Sequence, residues 1–443
     1  MVRTRITSAR ALLPLLGLLI AGCSPPDAAR EAVAIRDSSG IRIVENGEPL
    51  LGEGSWSVSA EPLLQIGVAD GDERQDLHRV AGAIVLSDGR VVVANLPAPM
   101  VRWYGADGAF LVGAGRPGGG PGEFGPGEGA WIHSLWALEG DSVGTWEHSS
   151  RRLQVFGPEG SFVRAVVLDL PPDMPPSTYP QIAGLSGAGF VAFLDPGAEM
   201  GALGEPMRDD WIYLRYRPDG SYAGRLASLP GPEMFTMEVE FPTRPEPFRT
   251  RGRPPFAKVP STWVQAGRFY YGSGDRYEIA VYGLDGALVE LVRKAVPNRP
   301  VTPAMREADQ ERRRAAASTR TEPKTRPAGD ELPYPDSLPA FRQLRLDREG
   351  WLWVQDYGLP GEMLSSWSVF DPAGRWVTDL QLPTRWRILD IGPDYILALM
   401  RDEMDVESVH KFGLVRGPLL RDPQAVDLAR AGSRVYGSNH GAP

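Results

Sequence analysis

Short stretches of alternating apolar and polar residues recur along this chain, and each ends in an aromatic residue followed by a turn that closes with glycine. Two clear copies are residues 101–104 before Gly108 and residues 153–156 before Gly160. Alternation with a period of two is typical of half-buried β-strands. The remaining copies end at Tyr216, Tyr282, Phe370 and, in a weaker form, Phe412. The pattern therefore predicts a fold of strands and tight turns.

Each copy is part of a larger unit. Two strand-like segments precede it, clearest at residues 83–86 and 91–94, and a fourth follows it, as at residues 109–112. Six units of four antiparallel strands, with a period near that of propeller repeats, predict an all-β, six-bladed β-propeller. The sixth unit stops after its third strand, near residues 411–414. We expect the N-terminal strand-like segments at 56–59 and 63–66 to close this last blade, which would leave no free edge.

Two segments interrupt the repeat. Residues 230–260 are rich in proline, carry five basic residues and are expected to form a solvated loop. In residues 297–339, the pair Thr302-Pro303 is typical of a helix start, and the helical pattern continues to Ala317. Both insertions are net basic on an acidic chain, so we expect them to contact an acidic partner.

The N-terminal residues predict a membrane anchor. Three arginines precede an apolar run at residues 11–20, and Ile20-Ala21-Gly22-Cys23 ends it. Ten apolar residues could form a short transmembrane helix with a buried cysteine, but a span needs about 20. The segment resembles the bacterial lipobox, which implies a signal peptide at residues 1–22 and a diacylated Cys23. Ser24 follows the cysteine, where an aspartate would suggest inner-membrane retention, so the resemblance favours the outer membrane.

Composition agrees with an envelope protein that has no disulfides. Cys23 is the sole cysteine, while 12 tryptophans and 51 glycines are typical of strands and turns. Removal of residues 1–22 takes away three arginines and no acids, which moves the formal charge from −9 to −12. This charge argues against nucleic acid as a partner.

One longer motif resembles a known family. Residues 115–124, Gly-Arg-Pro-Gly-Gly-Gly-Pro-Gly-Glu-Phe, resemble a segment that recurs between blades of six-bladed propeller lipoproteins related to NHL-repeat proteins. Residues 37–46, 352–354 and 402–407 also fit that family's pattern. The resemblance implies a lipidated linker with a first strand at 23–50, a propeller at 51–418 and a tail at 419–443. It implies no particular activity, because a propeller supports many functions.

Two short motifs suggest chemistry that their context does not favour. Residues 113–118 match the glycine spacing of a dinucleotide site, but the glycines and proline that follow prevent a helix from starting there. Residues 140–144 match the GxSxG pattern around Ser142, yet a nucleophile elbow needs a strand before the serine and a helix after it. The five histidines have no metal-ligand spacing.

The most promising set of polar residues lies where the inner strands of five blades begin. In a closed ring these side chains would converge on one mouth of the central channel and make it electropositive. The alternative is that they are solvated or paired with acids such as Asp390. The residues are Arg79, His133, Gln181, Arg342 and Arg387. Nearby tryptophans could form platforms for a sugar or a peptide, or could pack between blades.

Two functions compete. The first is a lipid-anchored, non-enzymatic module without a cofactor that binds an envelope protein, a peptide or an acidic glycan. The second is a lactonase-like hydrolase with Ca²⁺ in the central channel, held by polar residues near the ends of second strands. Those candidate ligands are Asn95, Glu147, Asp195, Asp275, Asp356 and Asp402.

Overall fold

A computed structural model describes residues 32–418 apart from short gaps. The gaps are at 53, 68–70, 97–99, 126–131, 149, 176–177, 198–199, 240–245, 247 and 320–331. The predicted signal peptide, Cys23 and the C-terminal tail lie outside the described residues, as does the side chain of His133.

The described chain is mostly β-structure. It begins with β1 (Val33–Ser38), β2 (Ile41–Asn46) and β3 (Ser57–Ile66). Next come β4 (Gly82–Val85), β5 (Val91–Ala94), β6 (Val101–Tyr104) and β7 (Phe110–Ala114), then β8 (Ile132–Ala137), β9 (Val143–Glu147), β10 (Arg152–Phe156) and β11 (Phe162–Val167). The chain continues with β12 (Gln181–Ser186), β13 (Gly189–Leu194), β14 (Pro206–Met207), β15 (Asp210–Tyr216), β16 (Tyr222–Pro230), β17 (Met234–Val239) and β18 (Phe248–Gly252).

The second half follows the same plan. It contains β19 (Ser261–Gln265), β20 (Arg268–Gly272), β21 (Glu278–Gly283) and β22 (Leu288–Lys294), then the helix α1 (Pro303–Thr319). The last strands are β23 (Phe341–Leu346), β24 (Leu352–Asp356), β25 (Leu364–Phe370), β26 (Trp376–Pro383), β27 (Arg387–Ile391), β28 (Tyr395–Arg401) and β29 (Glu407–Val415). None of the described helices is long and apolar enough to cross a membrane.

The strands form small, mainly antiparallel sheets in sequence order. We number them sheet 1 (β4–β7), sheet 2 (β8–β11), sheet 3 (β12, β13, β15, β16), sheet 4 (β19–β22), sheet 5 (β23–β26) and sheet 6 (β27–β29 with β3). First strands of neighbouring sheets touch, as β4 does with β8 and β19 does with β23, and β27 of sheet 6 contacts β4 of sheet 1. Small sheets packed side by side in this way make a propeller-like all-β fold.

The recurrent glycines explain how closely neighbouring sheets approach. Gly220 has a φ of +89°, and a Cβ built there would lie 2.3 Å from the Val167 carbonyl oxygen on the outer strand of sheet 2. A Cβ built at Gly286 would likewise lie 2.8 Å from the Leu226 carbonyl oxygen of sheet 3. Glycine is needed because the turn requires positive φ and the preceding sheet leaves no room for a side chain.

The strand β3 pairs antiparallel with β29 and completes sheet 6, with Ile66 opposite Val409 and Ser57 opposite Val415. Just before β3, the buried Trp56 packs on Trp351 of sheet 5, with ring centroids 5.0 Å apart. The N-terminal segment therefore contacts both of the last two sheets.

The hairpin β1–β2 extends sheet 4, because β2 pairs in parallel with β22. Asn46, at the end of β2, is fully buried and donates hydrogen bonds to the carbonyls of Arg293 and Gly374. Its side-chain Oδ1 accepts a hydrogen bond from the Trp376 backbone amide at 2.8 Å. Asn46 thus joins the outer strands of sheets 4 and 5.

Both insertions are more structured than a solvated loop. Within 230–260, β17 pairs with β18 on one side and with β14 on the other. Helix α1 begins at Pro303, as the sequence predicts, and ends two residues beyond the predicted Ala317. Phe256 of the first insertion packs with Val301 and Leu338 of the second in a small apolar cluster. The two insertions therefore contact each other.

The two edges of the sheets differ greatly. At one edge the first strand of each sheet begins and the second strand ends, and we call this edge the loop face. We call the opposite edge the turn face. Every turn-face connection within these sheets has five residues or fewer. The loop face carries the long connections, including 231–260 and 295–340. Since loops tolerate added length and carry most binding residues, the loop face is where a site is expected.

Candidate functional site

The predicted channel-mouth residues lie at the loop face, each at or just before the start of a first strand. The Arg387 guanidinium donates to the carbonyls of Val80 and Ala81, both at 2.9 Å, and so holds the backbone next to Arg79. Burial lowers the pKa of Arg387. Burial raises the pKa of Tyr357, and the positive charge of the nearby Arg342 opposes that increase. Gln181 is exposed at the start of β12. A shared, electropositive binding site at this mouth stays a prediction.

A further arginine, which the sequence analysis did not single out, lies deeper among the first strands. The Arg345 guanidinium lies 5.3 Å from the Trp263 ring and donates to the Leu389 carbonyl at 3.2 Å. Burial, together with the nearby charge of Arg387, lowers the pKa of Arg345 to about 10. The side chain links the first strands of sheets 4, 5 and 6, so packing accounts for its position.

Neither of the two short motifs, at residues 113–118 and 140–144, has the structural context of a cofactor site or a nucleophile elbow. Ser142 lies in the turn between β8 and β9, with no helix after it. In the glycine-rich segment, Phe124 is fully buried in the core between sheets 1 and 2. The Glu123 carboxylate accepts hydrogen bonds from the Gly120 amide and from Arg116, each at 2.8 Å. This segment therefore anchors a connection between sheets.

Most of the tryptophans that could form platforms pack between sheets. The set is Trp131, Trp136, Trp146, Trp263, Trp351, Trp353 and Trp386. Trp146 and Trp353 are almost fully buried, and Trp386 stacks on Phe412 with ring centroids 4.0 Å apart. Trp136, Trp263 and Trp351 border the same apolar clusters, whereas Trp131 lies outside the described residues.

The six polar residues proposed as calcium ligands lie one per sheet at the loop face, but each has a partner of its own. The pairs are Asn95 with the His78 amide, Glu147 with Arg152, Asp195 with Arg251, Asp275 with Arg208, Asp356 with Tyr277, and Asp402 with the amides of Met404 and Val406. Among the described residues, no three His, Cys, Asp or Glu side chains are close enough together to hold a metal ion.

A cavity of about 370 Å³ opens at the loop face between sheets 4 and 5. We call it the sheet 4–5 pocket. Tyr277 and Lys294 line it from sheet 4, Asp356 lines it from sheet 5, and residues 296–299 of the second insertion line it from above. Its volume is within the range of pockets that bind small molecules.

Lys294 lines the pocket and is nearly buried. Its ammonium donates to the Ser368 hydroxyl at 2.8 Å and lies 3.8 Å from Asp356 and 3.9 Å from Asp379. The same Nζ lies 3.9 Å from the centroid of the Trp376 ring. Two carboxylates and an aromatic face therefore compensate the burial of this charge, as a buried ammonium requires.

Asp356 connects this buried group with the cavity. Its Oδ1 accepts a hydrogen bond from the Tyr277 hydroxyl at 2.9 Å, and its side chain keeps 32% exposure. Burial raises the pKa of Asp356, although Lys294 opposes the change. Burial also raises the pKa of Tyr277 well above its ordinary value. The pocket therefore contains a carboxylate that is partly removed from water and still accessible.

The rim of the pocket is apolar. Val296 is 48% exposed and Leu364 is 53% exposed, and the neighbouring Met363 is 76% exposed. Other exposed apolar residues of the loop face are Tyr179, Met200, Leu203, Phe248 and Met404. Exposed apolar side chains concentrated on one face are typical of surfaces that bind partners.

The basic residues of the first insertion are largely paired. Arg251 bridges Asp195 and Asp209 at 2.9 and 3.0 Å, and Arg249 and Lys258 pair with Glu238 and Glu233. In the second insertion, Arg312 and Arg313 of α1 both bind the buried Asp309. The positive charge offered to a partner is therefore smaller than the sequence alone suggests.

The sequence pattern alone did not indicate the pocket. Lys294 is in phase with Glu290 and Val292, which are buried on β22. Because this face of the strand carries a second charged residue, the alternation is not that of an apolar face, and a buried lysine could not be inferred from it. The partners of Lys294, which are Asp356, Asp379 and Ser368, come from another sheet.

Comparison with known proteins assigns no family. No protein-family model matches the chain, and no curated protein matches it. A solved structure of a DUF4221 family member from Bacteroides vulgatus aligns at 8% identity with a TM-score of 0.43, covering 82% of this chain and 99% of that one.

Two further solved structures also align. Virginiamycin B lyase from Staphylococcus aureus has 12% identity and a TM-score of 0.38, with 81% of this chain and 100% of the lyase covered. The calcium-binding protein regucalcin from Agrobacterium tumefaciens has 11% identity and a TM-score of 0.34, with 79% and 96% covered. Every TM-score is below 0.5, so the propeller-like fold is assigned from the sheets of this structure.

Proposed function

We propose that this chain is a lipid-anchored, closed six-bladed β-propeller of the cell envelope, similar to NHL-repeat lipoproteins, and that its loop face binds an envelope protein, a peptide or an acidic glycan without catalysing a reaction. A lipid on Cys23 would hold the protein at a membrane. Ser24, the residue that follows the cysteine, favours the outer membrane. Two acyl chains give durable anchoring, whereas one gives only marginal binding.

The asymmetry between the two faces carries this proposal. The turn face has only short connections, whereas the loop face carries both insertions, the sheet 4–5 pocket and eight of the exposed large apolar side chains. Binding residues lie disproportionately on loops, and exposed apolar patches mark interaction sites. The acids and arginines of this face are largely engaged with each other, which favours recognition over catalysis.

Six-fold closure is supported by two contacts. β3 supplies the fourth strand of sheet 6, and β27 of that sheet packs against β4 of sheet 1. With Trp56 packed on sheet 5, the two ends of the described chain would hold the ring together.

Deletion of residues 303–330, bridged by a short Gly/Ser linker, is expected to weaken binding to an acidic glycan while the sheets stay folded. The deletion takes away two units of net positive charge, which should weaken binding. The sheets should stay folded, because a change in loop length has a small entropic cost. Retention of residues 32–418 on immobilised polygalacturonate, measured at increasing NaCl, gives the readout, because salt screens exposed charges beyond about 8 Å.

The matched control is the double variant Arg164→Ser with Arg225→Ser, which removes the same net charge from the outer strands β11 and β16. We expect the deletion to reduce retention and the control to leave it nearly unchanged. Equal losses in both variants would mean that overall charge, and not the insertion, causes retention. An intact domain that is not retained even at low salt would exclude the acidic glycan.

A further inference from the structure

Two carboxylates and two cations line the sheet 4–5 pocket, and a third carboxylate lies close to one of these cations. Asp356 and Glu362 line it, with Asp379 behind them, while Lys294 and Arg299 are the basic groups. Both cations are already engaged, since Lys294 lies between two carboxylates and the Arg299 guanidinium donates to the Tyr357 carbonyl. Counted together, these three carboxylates and two cations carry one net negative charge.

The geometry around Asp356 shows where this charge is available. Its Oδ1 accepts from Tyr277 at 2.9 Å, whereas its Oδ2 has Lys294 at 3.8 Å, beyond hydrogen-bond distance. Asp356 keeps 32% exposure and lines the cavity. A donor that enters the pocket can therefore reach a carboxylate oxygen with no close hydrogen-bond partner of its own.

Part of the cavity wall suits an apolar group. Val296, Pro297, Pro339 and Leu364 contribute apolar surface, and Tyr277 and Tyr357 also line the space, beside polar residues such as Ser365 and Gln381. Aromatic faces attract cations as well as apolar groups. The pocket therefore combines an accessible carboxylate with a wall that is partly apolar and aromatic.

We propose that the sheet 4–5 pocket binds an organic cation, namely a primary ammonium group on an apolar body, with the ammonium at Asp356. This inference deepens the proposed binding function and depends on it. An anionic ligand is disfavoured at this position, because its charge and that of the Asp356 carboxylate would repel each other. A neutral ligand would cover Asp356 without compensating its charge.

Three probes of matched shape test the proposal: 4-phenylbutylamine, 4-phenylbutanol and 4-phenylbutyrate. Calorimetric titration into residues 32–418 should show that the amine binds at least ten times more tightly than the alcohol or the carboxylate. Asp356→Asn keeps an acceptor for Tyr277 but removes the charge, and should reduce amine affinity at least tenfold without changing that of the alcohol. Asp402→Asn, the corresponding acidic position of sheet 6, is the control and should change nothing.

A pH titration of the unchanged chain gives a second test, in case Asp356→Asn does not fold. Burial raises the pKa of Asp356, so the carboxylate should protonate, and amine binding should fall, at a pH above the ordinary aspartate value of about 4. The other charged or ionisable groups around Asp356 are Lys294, Arg299, Tyr277, Asp379 and Glu362, and burial raises the pKa of Tyr277.

Three results would overturn the inference: equal affinity for the amine and the alcohol, tighter binding of the carboxylate, or amine binding that survives Asp356→Asn. None of them would affect the insertion-dependent retention on polygalacturonate described above. Loss of that retention alone, with amine binding intact, would instead count against the acidic glycan partner. The two proposals can therefore fail separately.

Discussion

A domain that begins at Ala69 is expected to lose cooperative folding, whereas a domain that begins at Ala32 should keep it. The shorter chain lacks β3, so the strand β29 loses its pairing partner. It also lacks Trp56, Leu64 and Ile66, each less than 9% exposed. Removal of a large core side chain costs about 2–5 kcal/mol, so the three together rival the whole stability of a typical domain, about 5–15 kcal/mol.

Thermal unfolding followed by circular dichroism measures this difference. A domain that begins at Gly47 is the control, since it lacks β1 and β2 but retains Trp56 and β3. We expect the control to melt cooperatively at a reduced temperature, because it loses the contacts of Asn46, and the Ala69 domain to aggregate or to show no transition. If the Ala69 domain melts like the Ala32 domain, β3 is dispensable and the ring is held by other contacts.

The second large effect is expected from Gly220→Ala. A non-glycine residue at positive φ costs about 1–2 kcal/mol. Here the added methyl group would also lie 2.3 Å from the Val167 carbonyl oxygen, so sheets 2 and 3 must separate. Overpacking of this kind costs about 1–3 kcal/mol more. The total expected loss in unfolding free energy is therefore about 2–5 kcal/mol.

Gly350→Ala is the matched control. Gly350 has a φ of +83°, close to that of Gly220, but a Cβ built there meets nothing within 4 Å. We expect a loss of about 1–2 kcal/mol from the backbone alone. Urea denaturation of both variants separates the two costs. Equal losses would show that the backbone accounts for the whole effect and that the turn does not press on the neighbouring sheet.

The local sequence pattern predicted the parts of the fold that repeat. Strands such as β6 and β10 alternate apolar and polar residues over a few positions, and glycines such as Gly108 mark turns that need positive φ. Helix α1 could be placed because Thr302-Pro303 is a local start signal. Each of these features depends on residues that are close together in the sequence.

Features that depend on distant partners were not predictable in this way. The parallel pairing of β2 with β22 joins residues about 250 positions apart, and nothing in residues 41–46 identifies that partner. The strands β17 and β18 were predicted as a solvated loop because flanking prolines outweighed a short alternation. Likewise, the pocket brings Tyr277, Lys294 and Asp356 together from two sheets, so their proximity exists only in the folded chain.

Photo-crosslinking from the two faces tests the binding proposal most directly. On the loop face, a photoreactive phenylalanine analogue would replace Met363 or Met404, which are 76% and 77% exposed. On the turn face, it would replace Glu159, whose side chain is 78% exposed. Irradiation of cells that express each full-length variant, followed by gel analysis, shows where a partner contacts the protein. We predict the same adduct from Met363 and Met404 and none from Glu159. Adducts from Glu159 alone, or identical results at all three positions, would contradict a loop-face binding module.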